Sequence, residues 1–391
     1  MTPAARLQAA IEVLDEVIAS ARSDGPPADT IVTRYFKQRR YAGSKDRRAV
    51  RELVFQAVRR CGELPRTGRA AIVGLTEDQP QLLELFGGLR GPEPLSGEEE
   101  SAERVAIPAW LRNELSPLVS EGEWPALLER APLDLRVNVA RASRDEMLER
   151  FPGSEPAPLS PWALRLAPDS RIDDHPAFES GLVEVQDEGS QLIALACEPS
   201  DGDRVLDLCA GAGGKSLALA AAAPTALILA TDSNRARLSK LAPRAHRAGA
   251  QIDTRLLNPP RELEDLADWH GSADAVLVDA PCSGSGTWRR NPEGRWRLTP
   301  ERLDRLVETQ QRLLDIAAEL VKPGGRLVYA VCSILSREGA GQIERFLQHR
   351  SSWISEPAAI AGGRQDGEGR LLTPGHDRTD GFFVARLGRP C

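Results

Sequence analysis

The sequence predicts an α/β protein: a doubly wound, mostly parallel sheet in its C-terminal half, preceded by an all-α N-terminal domain and a small α+β module. Three observations predict it. After "VEVQDEGSQLIALAC" (Val183 to Cys197), apolar runs alternate with helical stretches, from "RVLDLCA" and "LILATD" through "DAVLVDAPC" to "GRLVYAVCS". Uninterrupted apolar strands separated by helices are the pattern of βαβ units covered on both faces. The N-terminal stretch shows only helical spacing. Between the two, "GPEPLSGEEESAER" (Gly91 to Arg104) is rich in Pro, Gly and acid and reads as a linker. The division is 1–90 helical, 91–105 linker, 106–180 α+β module and 181–391 the doubly wound domain.

Each element has a local cause. Leu7, Ile11, Leu14, Val17 and Ile18 recur at helix spacing before a Gly-Pro-Pro break at Gly25 to Pro27. In "YAGSKDRRAVRELVFQAVRRC", Ser44 suits an N-cap, and Val50, Leu53, Val54 and Val58 make one apolar stripe. The other face carries Lys45, Arg47, Arg48, Arg51, Arg59 and Arg60, after Lys37, Arg39 and Arg40. Such a face is either merely solvated or a surface for RNA phosphates, with Lys45, Arg47 and Arg48 as the candidate contacts. In the module, "LDLRVNVA" (Leu133 to Ala140) and "ALRLA" read as strands, and "SRDEMLERF" as a helix capped by Ser143. "GFFVARLG" (Gly381 to Gly388) reads as a final edge strand.

Composition narrows the classes. A chain of 391 residues with 27% charged and 41% hydrophobic residues is an ordinary globular protein with room for several cores. The net charge of −7 confines any nucleic-acid binding to local patches. The longest nearly uniform apolar stretch, Leu217 to Ala230, is too short to span a bilayer. Glu12, Asp15 and Glu16 argue against a signal or transit peptide, so a cytoplasmic protein is expected; a monomer is expected as well. Cys61, Cys197, Cys209, Cys282, Cys332 and Cys391 form no C-x-x-C pair, and the histidines no H-x-x-x-H, so neither a metal site nor a disulfide framework is expected.

"VLDLCAGAGGKS" (Val205 to Ser216) reads as a strand, a glycine turn and a helix start. As a phosphate loop it lacks the first glycine, since Cys209 stands there, and Asp207 would repel a triphosphate. As a nucleoside-cofactor loop it asks for an acidic residue at the end of the next strand, and "LILATD" supplies Asp232.

Cys282, in "VDAPCSGSGTWRR", and Cys332, in "LVYAVCSI", each end an apolar run and each precede a serine. Ligands collect at the carboxyl ends of parallel strands. If the two runs are neighbours, about 4.8 Å apart, both thiols face one crevice beside the cofactor loop. A nucleophilic thiol beside a nucleoside cofactor suits methyl transfer to an unreactive pyrimidine C5. Addition at C6 makes C5 nucleophilic, and a base must later remove the C5 proton. The cycle asks for a nucleophile, an acid near N3 and N4 of the cytosine and a release base, and a cysteine, an aspartate and a second cysteine fit those three roles.

At this point the chain resembles the Nol–Nop–Sun RNA cytosine-C5 methyltransferases. The resemblance rests on "VQDEGSQL", "VLDLCAGAGGKS", "DAPCSGSGTWRRNPEGRW", "KPGGRLVYAVCS" and "DGFF", and is strongest from Val183 onward. It implies a class I methyltransferase fold with a NusB-like N-terminal domain ("AGSKDR"), and an RNA-binding module around "APLDLRVNVA", whose Arg136 is expected to contact RNA. It implies Cys332 as the nucleophile, Cys282 as the residue assisting release, and Asp279 on the cytosine edge. S-adenosylmethionine would be held by Cys209, Ala210, Gly211, Ala212, Gly213, Gly214, Lys215, Asp232, Asn258 and Asp279, and Lys215 would neutralise a carboxylate, that of Asp207 or of the cofactor. The implied substrate is RNA, specifically small-subunit ribosomal RNA. Three positions depart from the family pattern: Ala212 for proline, Val331 for threonine, and Asn258 for aspartate.

"TWRRNPEGRWR" follows Cys282 and pairs aromatics with arginines, as RNA contacts do. Trp296 is expected to pack, and Arg289 and Arg290 to reach the RNA. Two rival readings stand beside the methyltransferase: a ribosome-assembly factor on the same fold, opposed by intact Cys282, Cys332, Asp279 and Asp232, and a phosphate-loop nucleotidase, opposed by the missing glycine.

Overall fold

A computed structural model describes residues 1–23 and 25–391. It comprises two compact units, one of residues 1–114 with 288–299, the other of residues 115–287 with 300–391. The first unit takes in residues 91–114 and 288–299, and the second joins residues 115–180 to the doubly wound domain.

The first unit is built on α1 (Pro3–Arg22), α2 (Ala28–Lys37), α3 (Ser44–Arg60) and α4 (Gly68–Leu75). Leu7, Leu14, Val17, Val54 and Val58 are buried in its core, as the helical spacing predicts, and Ile31 of α2 joins them. The cap of α3 is Gly43 rather than Ser44. Asp46 explains the shift, because its carboxylate accepts from Gly43 N at 3.1 Å, while also receiving Arg6 Nε at 2.8 Å and the N-terminal amine at 3.1 Å. An anionic acceptor in the first turn outcompetes a serine hydroxyl. Lys45, Arg47 and Arg48 lie exposed on the outer face of α3.

The acidic 91–105 stretch is not a free linker. Ala102 N donates to Ala70 O and Val105 N to Arg60 O, both at 3.0 Å, and Arg69 holds Glu99. Residues 288–299 are likewise part of this unit. Trp296 lies in the helical core and donates from Nε1 to Cys61 O at 2.7 Å. Glu293 Oε1 accepts from Ala28 N at 3.0 Å at the start of α2, and Arg295 Nη2 donates to Val58 O at 2.6 Å at the end of α3. One short segment thus satisfies an orphan amide of one helix and an orphan carbonyl of another.

The second unit contains two sheets. The small one runs in the order β2 (Glu155–Pro156), β3 (Ala163–Leu166), β1 (Leu133–Val137), β4 (Val183–Val185), all antiparallel. Helix α5 (Arg144–Arg150), capped by Ser143 as predicted, closes over it with Met147 and Phe151 in the core. Buried Arg165 bridges Asp134 at 2.8 Å and Glu188 at 3.1 Å, joining this sheet to α6 (Glu188–Ala196).

The large sheet has nine strands. Its parallel core runs β7 (Asp253–Leu256), β6 (Leu227–Asp232), β5 (Arg204–Asp207), β8 (Ala273–Asp279), β9 (Val321–Val331). Helices α7 (Gly214–Ala222), α8 (Leu241–Ala248), α9 (Pro300–Leu320) and α10 (Ala340–His349) accompany these strands. Beyond β9 the sheet turns antiparallel. β13 (Phe382–Gly388) pairs with β9 and with β12 (Gly369–Leu372), which continues to β11 (Arg364–Asp366), and β10 (Ile354–Glu356) also pairs with β13. β13 is therefore interior, not the edge its place in the sequence suggested. The β11–β12 hairpin, short and rich in Arg and Gly, carries no apolar run to announce it.

Candidate active site

The strand order places the chemistry. β5 lies beside β6 and β8, and β8 beside β9, so Asp207, Asp232, Asp279 and Cys332 emerge at the same carboxyl end of four adjacent strands. After β5 the chain turns through the glycine loop into α7. Gly213 has φ +81°, and a Cβ there would meet Leu241 Cδ1 at 2.0 Å, so only glycine fits. No side chain caps α7, and its first amides open beside the loop. Asp232 is nearly buried, and its carboxylate accepts from Gly211 N at 2.8 Å and Asn234 N at 2.6 Å, so it shapes the loop it was expected to serve.

Lys215 pairs with Asp279, Nζ to Oδ2 at 2.6 Å, rather than with Asp207. Burial pulls the Lys215 pKa down, but Asp279 together with the Cys332 and Asp207 charges outweighs it, so the net shift is upward and the ammonium persists. Its Nζ also stands 5.4 Å from the Phe382 ring centre, which ties "DGFF" to the site. Asp207 lies wholly buried under the loop, accepting from Ser216 Oγ at 2.6 Å, and burial pushes its carboxyl up to about 7. Cys209, in the loop itself, is pushed well up by burial and by the neighbouring carboxylates, and is an inert thiol.

The two cysteines meet. β8 and β9 pair in parallel with Asp279 opposite Ala330, and Cys282 Sγ lies 3.3 Å from Cys332 Sγ. The Cys282 thiol is held well above the ordinary thiol range, first by its hydrogen bond with Cys332, then by burial and the charges of Cys332 and Glu338. The loop after Cys282 closes on "DGFF". Gly286 N donates to Cys332 O at 3.1 Å, Gly381 N donates to Gly286 O at 2.7 Å, and a Cβ on Gly286 would strike Gly381 O at 2.0 Å. Asp187 of "VQDEGSQ" caps α6 and accepts from Asp380 N at 3.0 Å, so a further motif buttresses the same corner.

The paired serines also find a reason. Ser283 N and Ser333 Oγ donate to one carboxylate, that of Glu338, at 2.8 and 2.6 Å. Gln310 Nε2 donates to Glu338 at 2.9 Å and to Pro281 O at 2.9 Å. Sequence reasoning passed over Glu338 and Gln310, and only the repeated Cys-Ser signalled that something beyond the thiols was shared.

Several expected contacts lie elsewhere. Arg136 is 2% exposed, and its Nη1 donates to Gln186 Oε1 at 2.6 Å and Gly214 O at 2.7 Å. Burial lowers its pKa to about 10, and the residue supports the start of α7 instead of facing RNA. Arg289 is 6% exposed and Arg290 half-buried, so Arg289 is no surface contact, whereas Trp296 packs as predicted. Asn258 is exposed beyond β7, its amide nitrogen donating to Asp265 Oδ2 at 3.1 Å. Among the described residues no cluster of His, Cys, Asp and Glu could hold a metal ion, and no helix is long and apolar enough to cross a membrane.

A doubly wound sheet with a glycine loop, an acid closing β6 and a helix start without a side-chain cap at the strand ends defines a class I methyltransferase, and S-adenosylmethionine is the cofactor these residues fit. The family model described as 16S rRNA methyltransferase RsmB/F matches residues 194–388. The ribosomal RNA small subunit methyltransferase B of Enterobacter sp. (strain 638) is 34% identical over 325 residues, covering 79% of this chain and 74% of that protein. Its counterpart in Xylella fastidiosa (strain 9a5c) is 37% identical over 292 residues, covering 72% and 68%. The crystal structure of PH0851 aligns with TM-score 0.77 and 22% identity over 99% of both chains. NSun6 from Pyrococcus horikoshii, crystallised with SFG, aligns with TM-score 0.62 and 19% identity over 72% of this chain and 96% of that one. The chain belongs to the Nol–Nop–Sun family of RNA methyltransferases.

Proposed function

We propose that this protein methylates C5 of a cytosine in small-subunit ribosomal RNA, with Cys332 as the nucleophile and Cys282 as the residue that lets the product go. The observation that carries the reading is the sulfur pair, 3.3 Å apart beside the Lys215–Asp279 ion pair. S-adenosylmethionine, when bound, supplies the methyl group. Gly211, Gly213, Gly214 and the uncapped start of α7 form its cradle, with Asp232 at the rim.

The electrostatics separate the two thiols. Cys282, pushed well up by its hydrogen bond with Cys332 and by burial, is the sulfur that keeps its proton, and Cys332 is assigned the attack. Cys332 adds to C6, and the C5–C6 electron pair becomes available for methylation at C5. As a thioether, Cys332 no longer carries the charge that held the Cys282 proton. Cys282 then releases that proton to water and accepts the C5 proton. The C5–H electron pair re-forms the C5–C6 double bond, and the C6–S bond breaks to return Cys332 as thiolate. Asp279, the more open member of its ion pair, faces the N3 and N4 edge of the base. Lys45, Arg47 and Arg48 hold RNA phosphates on the face of α3.

The test is to incubate the protein with S-adenosylmethionine and small-subunit ribosomal RNA from cells lacking this activity, then analyse the nucleosides by mass spectrometry. 5-Methylcytidine at a discrete site is expected. Methylation of another atom, or no methylation while the cofactor binds, overturns the reading, and the second outcome favours an assembly factor.

A further inference from the structure

We propose that Glu338 is a positioning residue that clamps the two cysteine loops together and so sets the sulfur separation the reaction needs. The inference rests on the reading of Cys332 and Cys282 given above.

Glu338 is fully buried, and its carboxylate is contacted from three separate segments. From the loop after β8 come Ser283 N and Ser283 Oγ, at 2.8 and 2.5 Å. From the end of β9 comes Ser333 Oγ at 2.6 Å, and from α9 comes Gln310 Nε2 at 2.9 Å. Gln310 also holds Pro281 O, so Cys282 is pinned on both sides, through Pro281 before it and Ser283 after it. Cys332 is pinned in the same way, between the β9 ladder at Val331 and Ser333. Ser285 Oγ reinforces the join, lying 3.0 Å from Ser333 Oγ and accepting from Ile334 N at 3.0 Å.

A buried carboxylate costs free energy unless its oxygens are filled, and here every donor comes from a residue beside a cysteine or from the helix backing them. Its own backbone carbonyl accepts from Tyr329 Oη at 2.7 Å, which fixes Glu338 to the strand that delivers Cys332. The charge also acts at a distance, since it is one of the influences holding the Cys282 proton in place. Glu338 touches neither base nor cofactor in this scheme. It acts through the two serines.

The experiment uses the full chain with Glu338→Gln, which keeps the size and removes the charge and one acceptor. Three readouts are taken: cofactor binding, methyl transfer under saturating RNA, and RNA retained covalently in denaturing gels. Expected are unchanged cofactor affinity, kcat lower by roughly tenfold or more with KM for the cofactor unchanged, and accumulation of covalent RNA, because the releasing thiol is displaced. Combining Glu338→Gln with Cys282→Ala should add little to the loss from Cys282→Ala alone, since both remove the same step. Multiplicative losses, or adduct and turnover falling in equal proportion along with cofactor binding, would show a merely structural carboxylate and overturn the proposal. So would kcat within about twofold of the parent.

If Glu338→Gln does not fold, the pair Ser283→Ala with Ser333→Ala leaves the charge in place, removes both hydroxyl ties while the Ser283 amide still donates, and should give covalent RNA accumulation in the same direction. A readout independent of RNA separates this proposal from the functional reading. Residue-resolved alkylation by iodoacetamide across pH should show Cys282 reacting at lower pH in Glu338→Gln than in the parent. An unchanged Cys282 profile contradicts the clamp even if methyl transfer fails for another reason.

Discussion

At the residue scale, the site is organised by carboxylates whose partners differ. Asp279 is balanced by Lys215, Glu338 by serines and an amide, and Asp207 by one serine hydroxyl under complete burial. Asp207 is the least compensated, and its carboxyl is raised to about 7 from the usual 3.8. The folded chain thus binds this proton more tightly than the unfolded chain does. Its contribution is full at pH values below the unfolded carboxyl's and is lost as pH rises towards 7, by at most about 1.4 kcal/mol per pH unit. Asp207→Asn keeps an acceptor for Ser216 and carries no charge. Urea unfolding at pH 5 and pH 8 should therefore show a smaller loss of stability with rising pH in the variant, and a variant more stable than the parent at pH 8. Parallel pH dependence in the two proteins would contradict this.

At the element scale, arginines that look like RNA contacts in the sequence finish helices in the structure. Arg295 is 1% exposed, and its guanidinium reaches Val58 O and Arg59 O at the end of α3 and Ala106 O at 2.6 Å. A cation there satisfies orphan carbonyls and complements the helix dipole. Arg295→Ala should cost on the order of 2–4 kcal/mol, because buried acceptors lose a charged donor. Chemical denaturation checks it, and a cost below about 0.5 kcal/mol would refute the capping role. The face of α3 makes the opposite case. Lys45 and Arg48 stand exposed on the surface of the helix. Lys45→Ala and Arg48→Ala should leave unfolding unchanged, and each should lower the slope of log affinity for single-stranded RNA against log salt by roughly 0.7. An unchanged slope would assign that face to solvent.

At the scale of the whole molecule, legibility followed the kind of force involved. The parallel strands were readable because burial on both faces writes continuous apolar runs, and the glycine loop because Gly213 takes a positive φ and leaves no room for a Cβ. The meeting of Cys282 and Cys332 followed from strand adjacency. What stayed hidden was polar and non-local. Nothing near Arg136 announces the carbonyl of Gly214 waiting far along the chain, and nothing near Glu338 announces the two loops it joins. The acidic stretch 91–105 has a linker's composition, yet its backbone amides complete contacts to α3 and α4 that composition does not encode. Residues 288–299 were read with the domain that contains them in sequence, and they fold with the helical unit instead.

The central claim is the division of labour between two sulfurs 3.3 Å apart. Cys332→Ala and Cys282→Ala variants, incubated with labelled S-adenosylmethionine and ribosomal RNA and resolved on denaturing gels, test it most directly. Cys332→Ala should form neither methylated RNA nor adduct, while Cys282→Ala should accumulate RNA bound covalently to protein. The reversed pattern, adduct in Cys332→Ala and none in Cys282→Ala, would contradict it and make Cys282 the nucleophile.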